Sequence, residues 1–97
     1  MKTFEEIKRI LELHKEEIKG KYRVKEIGIF GSYLREEQKE LSDVDILIEF
    51  ESPIGLLEFV GLQNYLSDLI EVKVDLVMKR ALKPRIGERI LKEVVYV

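Results

Sequence analysis

Apolar residues recur at helical spacing near the start of the chain, where Ile7, Ile10, Leu11 and Ile18 fall on one face. Thr3 and Glu6 have the spacing of a capping box that opens this helix, and Gly20 is placed to end it. The pattern then changes. Residues 22–30 carry Val24, Ile27, Ile29 and Phe30 in a short run that predicts a strand. A short helix is predicted over 32–37, and a polar approach over 38–42 leads into a second apolar strand over 43–50. Ser52 and Pro53 form an N-cap and first-turn pair for a third helix. Its Leu56, Leu57, Val60, Leu62, Tyr65, Leu66 and Leu69 are spaced for a buried face. Residues 72–78 alternate as a third strand, and Pro84 opens a last helix carrying Ile86, Ile90 and Leu91. The chain closes on Val94-Val95-Tyr96-Val97.

The predicted order is αβαβαβα over residues 1–97, with no repeat, low-complexity stretch or linker. Helices alternating with short apolar strands imply one α/β (α+β) domain of two layers around a three-stranded sheet. A connection as short as 31–42 does not hold a full parallel crossover, so the sheet is expected to be mixed.

Composition narrows what such a domain does. The chain has 97 residues, 45% hydrophobic and 37% charged, enough for one core and not for two. Its 17 basic and 19 acidic residues leave a net charge of −2, so no basic field holds a long nucleic acid stably. The absence of cysteine excludes disulfides and thiolate metal sites. No apolar stretch approaches a membrane span, and the first residues lack a signal-peptide core. A cytoplasmic protein without membrane contact is expected. Gln38, Gln63 and Asn64 are the only amides beside abundant Lys, Glu and Ile, a balance compatible with a thermophilic source.

The chemistry gathers in the middle of the chain. Phe30-Gly31-Ser32-Tyr33-Leu34-Arg35 reads as a strand leading through a Gly-Ser turn into a short helix. Such a turn presents backbone N–H groups and a hydroxyl, a common way to hold a phosphate. Arg35, one helical turn on, has two open outcomes: a phosphate oxygen, or an ion pair with Glu36, Glu37 or Glu40. Asp43-Val44-Asp45 opens the second strand, where residues two apart share a face roughly 6.6 Å apart. Both carboxylates then project together and can hold Mg²⁺ against nucleotide phosphates. The plainer reading makes Asp43 a turn cap and Asp45 a solvated strand end.

Asp75 interrupts the third strand between Val74 and Leu76, where an acid is costly unless it is paired or bound to a cation. If the second and third strands are neighbours, Asp75 completes a three-carboxylate cluster of the two-metal type; the alternative is a salt bridge to Lys73 or Arg80. Among the rest, His14 lies on the apolar stripe and reads as structural. Tyr33 is placed to pack in the core or against a base. Lys79, Arg80, Lys83, Arg85 and Arg89 form a basic patch, either solvated or facing an acidic partner.

Gly31-Ser32, ten residues, then Asp43-x-Asp45, with a later Asp75 in an apolar strand, resembles the polymerase-beta-like nucleotidyltransferase superfamily. Element order and length are similar to its stand-alone minimal nucleotidyltransferases, and the end of the chain from Ala81 to Val97 looks like theirs. The resemblance implies that Gly31 and Ser32, with Arg35, bind the triphosphate of ATP. It implies that Asp43 and Asp45 bind two Mg²⁺ ions and that Asp75 is the third, catalytic carboxylate. Where family members commonly carry a glycine after the arginine, this chain has Glu36. Minimal members are often encoded beside a helical HEPN ribonuclease toxin. They act as its antitoxin by moving AMP from ATP onto a toxin tyrosine, and the two chains form a complex.

The resemblance therefore implies an Mg²⁺-dependent protein adenylyltransferase with a HEPN toxin partner and a hetero-oligomer. A chain this short is expected to borrow its acceptor specificity from that partner. Two other functions compete. One is an antitoxin that acts by binding alone, through the third and last helices. The other is transfer to a small molecule or an RNA end, disfavoured by the lack of a substrate domain and by the acidic balance.

Overall fold

In the computed structural model, which describes residues 2–97, the chain folds into α1 (Phe4–Leu13), α2 (Lys15–Tyr22), β1 (Val24–Phe30), β2 (Val44–Phe50), α3 (Leu56–Ile70), β3 (Val74–Met78), α4 (Pro84–Glu93) and β4 (Val95–Tyr96). A 3₁₀ turn, Lys79–Ala81, joins β3 to α4. The four strands form a mixed sheet in the order β3-β2-β1-β4. β1 runs antiparallel to both β2 and β4, while β2 and β3 are parallel and joined through α3.

The period-2 pattern divides the sheet into two unlike faces. Ile27 and Ile29, Val44, Ile46 and Ile48, and Val74 and Leu76 point into a core shared with Ile7, Leu11, Ile18, Leu62, Leu66 and Ile70. The alternate positions, Phe30, Asp45 and Asp75 among them, occupy the other face. Register places them side by side: Phe30 pairs with Asp45 across β1–β2, and Asp45 with Asp75 across β2–β3.

Five boundaries differ from the sequence expectation, each for a local reason. The first helix is broken at His14, whose Nδ1 lies 2.9 Å from the Ile10 carbonyl that the helix ladder also uses. Gly20 does not end the helix; Arg23 does, in the left-handed region at φ +54°. The helix expected over 32–37 is instead a set of turns over 32–36, where Glu36 takes φ +57°. α3 starts at Leu56 behind an N-cap at Gly55, leaving Ser52 and Pro53 in the preceding bend. Its buried stripe is Leu62, Leu66 and Ile70, while Leu56 and, on the other side of the helix, Leu57 and Val60 are exposed. The closing residues add a fourth strand to the expected three. Gly28 makes this possible: a Cβ there would stand 2.6 Å from Val94 Cγ2 and 3.0 Å from the Val95 carbonyl. Among the described residues, no helix is long and apolar enough to cross a membrane.

Candidate functional site

The turn after β1 is built around Gly31 and Tyr33. Gly31 takes φ +81°, and a Cβ on it would lie 2.0 Å from Asp45 Oδ2. Only glycine lets the chain turn there with the Asp45 carboxylate against its backbone. Tyr33 is 2% exposed and packs in the main core, which anchors the turn from below. It is therefore not available to stack on a base. The N–H groups of Arg35, Glu36 and Glu37 bond back to the carbonyls of Gly31, Tyr33 and Ser32. As at the start of any helical turn, the leading N–H groups from Ser32 onward have no acceptor within it, which suits an anion.

The three aspartates come together as the sequence pattern predicts for neighbouring strands. Asp43 immediately precedes β2, Asp45 lies within it, and Asp75 is the register partner of Asp45 on β3. Asp43 and Asp45 are half-buried and Asp75 is exposed. Among the described residues none of the three has a side-chain hydrogen bond or ion pair. The turn before β2 is instead closed by Ser42, whose Oγ accepts from the Lys39 N–H at 2.8 Å. Among the described residues, Asp43 makes no capping hydrogen bond and Asp75 no salt bridge.

The cost of this arrangement falls on Asp45. Burial, then the charges of Asp75 and Asp43, raise its pKa to about 6, and Arg35 only partly offsets them. Burial and the Asp43 charge likewise push the Tyr33 hydroxyl up. Like charges held together without partners form a site whose field calls for a cation. Among the described residues, no three acidic or histidine side chains stand close enough to enclose a metal ion by themselves. The donor set nonetheless fits Mg²⁺, an oxygen-seeking ion usually held by one or two carboxylates together with substrate phosphates and water.

Two hollows border the carboxylates. Asp45 and Gly31 line a cleft of about 220 Å³ whose other wall is α4, with Ile86, Arg89, Ile90 and Glu93. Asp43 and Tyr33 border a wider one of about 550 Å³. Arg35 ends in ion pairs, with one outcome that the sequence foresaw and one that it did not. Its Nε donates to Glu37 at 2.5 Å, and its Nη1 donates to Glu93 of α4 at 2.6 Å. Glu93 and Arg89 are the site residues the sequence reading missed, Arg89 entering it only as part of a basic patch. The available signal was the spacing of Ile86, Arg89, Ile90 and Glu93, which puts them on one face of a helix.

Comparison with known proteins gives one consistent picture. The profile of the nucleotidyltransferase domain matches residues 11–97. The protein adenylyltransferase MntA of Thermococcus cleftensis is 54% identical over 97 residues, covering 100% of this chain and 98% of its own length. A solved structure named as a minimal nucleotidyltransferase superposes with a TM-score of 0.82 at 32% identity, covering 97% of this chain and 95% of that one. The same fold, at 20% identity and a TM-score of 0.64, occurs in the structure of a tri-AMPylated Shewanella oneidensis HEPN toxin in complex with an MNT antitoxin. That match covers 94% of this chain and 67% of the other.

Proposed function

This chain belongs to the nucleotidyltransferase domain family, and on that premise we propose that it is a protein adenylyltransferase. It moves AMP from ATP onto a tyrosine of a helical HEPN toxin and thereby acts as the antitoxin. The observation that carries the reading is the trio Asp43, Asp45 and Asp75, mutually repelling, unpartnered among the described residues, and set against the Gly31 turn. The relative from Thermococcus supports the protein-directed activity through its name. The HEPN partner is supported by a shared fold with the antitoxin of the Shewanella complex.

In the reaction, the acceptor hydroxyl oxygen forms a bond to the α-phosphorus of ATP, and the bond to the pyrophosphate oxygen breaks. Gly31 and Ser32 orient the triphosphate through the backbone N–H groups of the turn and the serine hydroxyl. Asp75, the most exposed of the trio, takes the hydroxyl proton. Asp43 and Asp45 would hold Mg²⁺, which when bound neutralises charge on the phosphate oxygens. The hollow beside Asp43 has room for an acceptor side chain. The test is transfer of label from α-phosphate-labelled ATP to the proposed HEPN toxin partner. Asp43→Asn and Asp45→Asn abolish labelling while leaving the fold intact, and labelling that persists in either variant overturns the reading.

One observation favours a second reading. Leu56, Leu57 and Val60 are exposed together at the start of α3, a surface that would serve an antitoxin acting by binding alone. A variant with all three aspartates changed to asparagine that still protects cells fully would establish that reading over transfer.

A further inference from the structure

Sequence position gives Arg35 the first claim on the triphosphate, yet the structure commits it elsewhere. Its Nε and Nη1 are held by Glu37 and Glu93. To meet a phosphate it must give up carboxylates on both sides. Arg89 is differently placed. It lies on α4, lines the same cleft as Gly31 and Asp45, and makes no ion pair among the described residues. Its natural partner four residues on, Glu93, is the carboxylate that Arg35 occupies. The Arg35–Glu93 pair thus fixes the end of α4 against the Gly31 turn and leaves the Arg89 guanidinium available.

We propose that Arg89 binds the outer phosphates of the nucleotide, with the Arg35–Glu93 pair as the strut that positions α4 to present it. The inference rests on the nucleotide reading given above and adds a residue from outside the Gly-Ser and Asp-x-Asp motifs. The lining of the cleft fits. Gly31 and Asp45, buried and half-buried, line it together with the apolar Phe30, Ile86 and Ile90, and Arg89 is its exposed basic residue. A triphosphate whose α-phosphate lies by Asp45 and whose chain runs outward meets the Arg89 fork with its β- and γ-oxygens.

Calorimetric titration of the intact protein with ATP and with AMP, both with Mg²⁺, tests this. Arg89→Ala weakens ATP binding by about tenfold or more, the scale of a lost charge-assisted contact, and leaves AMP binding unchanged. Arg89→Lys recovers part of the loss, and Arg85→Ala, on the same helix but outside the cleft, binds as wild type does. ATP affinity unchanged in Arg89→Ala overturns the proposal, and so does an equal loss for ATP and AMP. A wild-type protein that binds neither nucleotide overturns the nucleotide reading itself, a distinguishable result.

Discussion

The 2.0 Å between a would-be Gly31 Cβ and Asp45 Oδ2 ties the two chemical motifs of this chain into one object. Gly31→Ala adds a methyl where the carboxylate sits, in a left-handed conformation that alone costs about 1–2 kcal/mol. The account expects coupling. In chemical denaturation, Gly31→Ala costs more in the wild-type background than in Asp45→Ala, where roughly the conformational share remains. Additive costs would contradict it. Asp45 carries a second prediction. Its folded pKa of about 6 lies above its unfolded value, so its ionisation opposes folding. Its contribution is at its most favourable below about pH 4 and is lost as pH rises through about 6. In thermal melts with chelator, Asp45→Asn is therefore more stable than wild type near pH 8, and the difference closes near pH 4. A gain that grows toward acid would refute this. These residues were legible in the sequence because aspartates in strands and a glycine at a strand end are out of place on packing grounds. Arg35's second partner was not legible: Glu93 lies 58 residues away, beyond any local pattern.

At the scale of elements, the sequence reading failed where the chain turns without glycine. Arg23, Glu36 and Glu71 all adopt positive φ, and none carries the usual marker of a left-handed cap. Glu36 does so within the set of turns that replaces the expected short helix. It also stands where the resemblance places a glycine. Glu36→Gly relieves that conformation and raises stability by about 0.5–1 kcal/mol, against a partial loss from the freer unfolded chain. An unchanged or lowered melting temperature would count against this. The two-residue β4 is too short for any periodicity to reveal, and its presence depends on Gly28. Gly28→Ala forces Val94 and the Val95 carbonyl away. Hydrogen exchange should then accelerate at the Val97 amide, which donates to Ile27 at 2.9 Å, and not in α1. Equal protection in both proteins would show that β4 does not need the glycine.

For the molecule as a whole, one sheet serves two purposes. Its inner face carries the core, which includes Ile27 and Ile29 of the first expected strand and Leu62 and Leu66 of the expected helical face. Its other face spends stability on three unpartnered carboxylates beside a cleft, as functional sites do. The pattern misjudged the start of α3, where Leu56 and Leu57 are expected on the core face but are exposed, Leu57 on the other side of the helix from Leu62, Leu66 and Ile70. An apolar-rich helix offers more leucines than one stripe can hold, and only those in phase with Leu62, Leu66 and Ile70 are buried. The central claim is that this carboxylate face transfers AMP to a protein. The most direct measurement is the intact mass of the proposed HEPN toxin partner after incubation with the protein, ATP and Mg²⁺. The account predicts a gain of one or more AMP units that disappears with Asp43→Asn; a stable complex of the two chains with no gain in mass would contradict it.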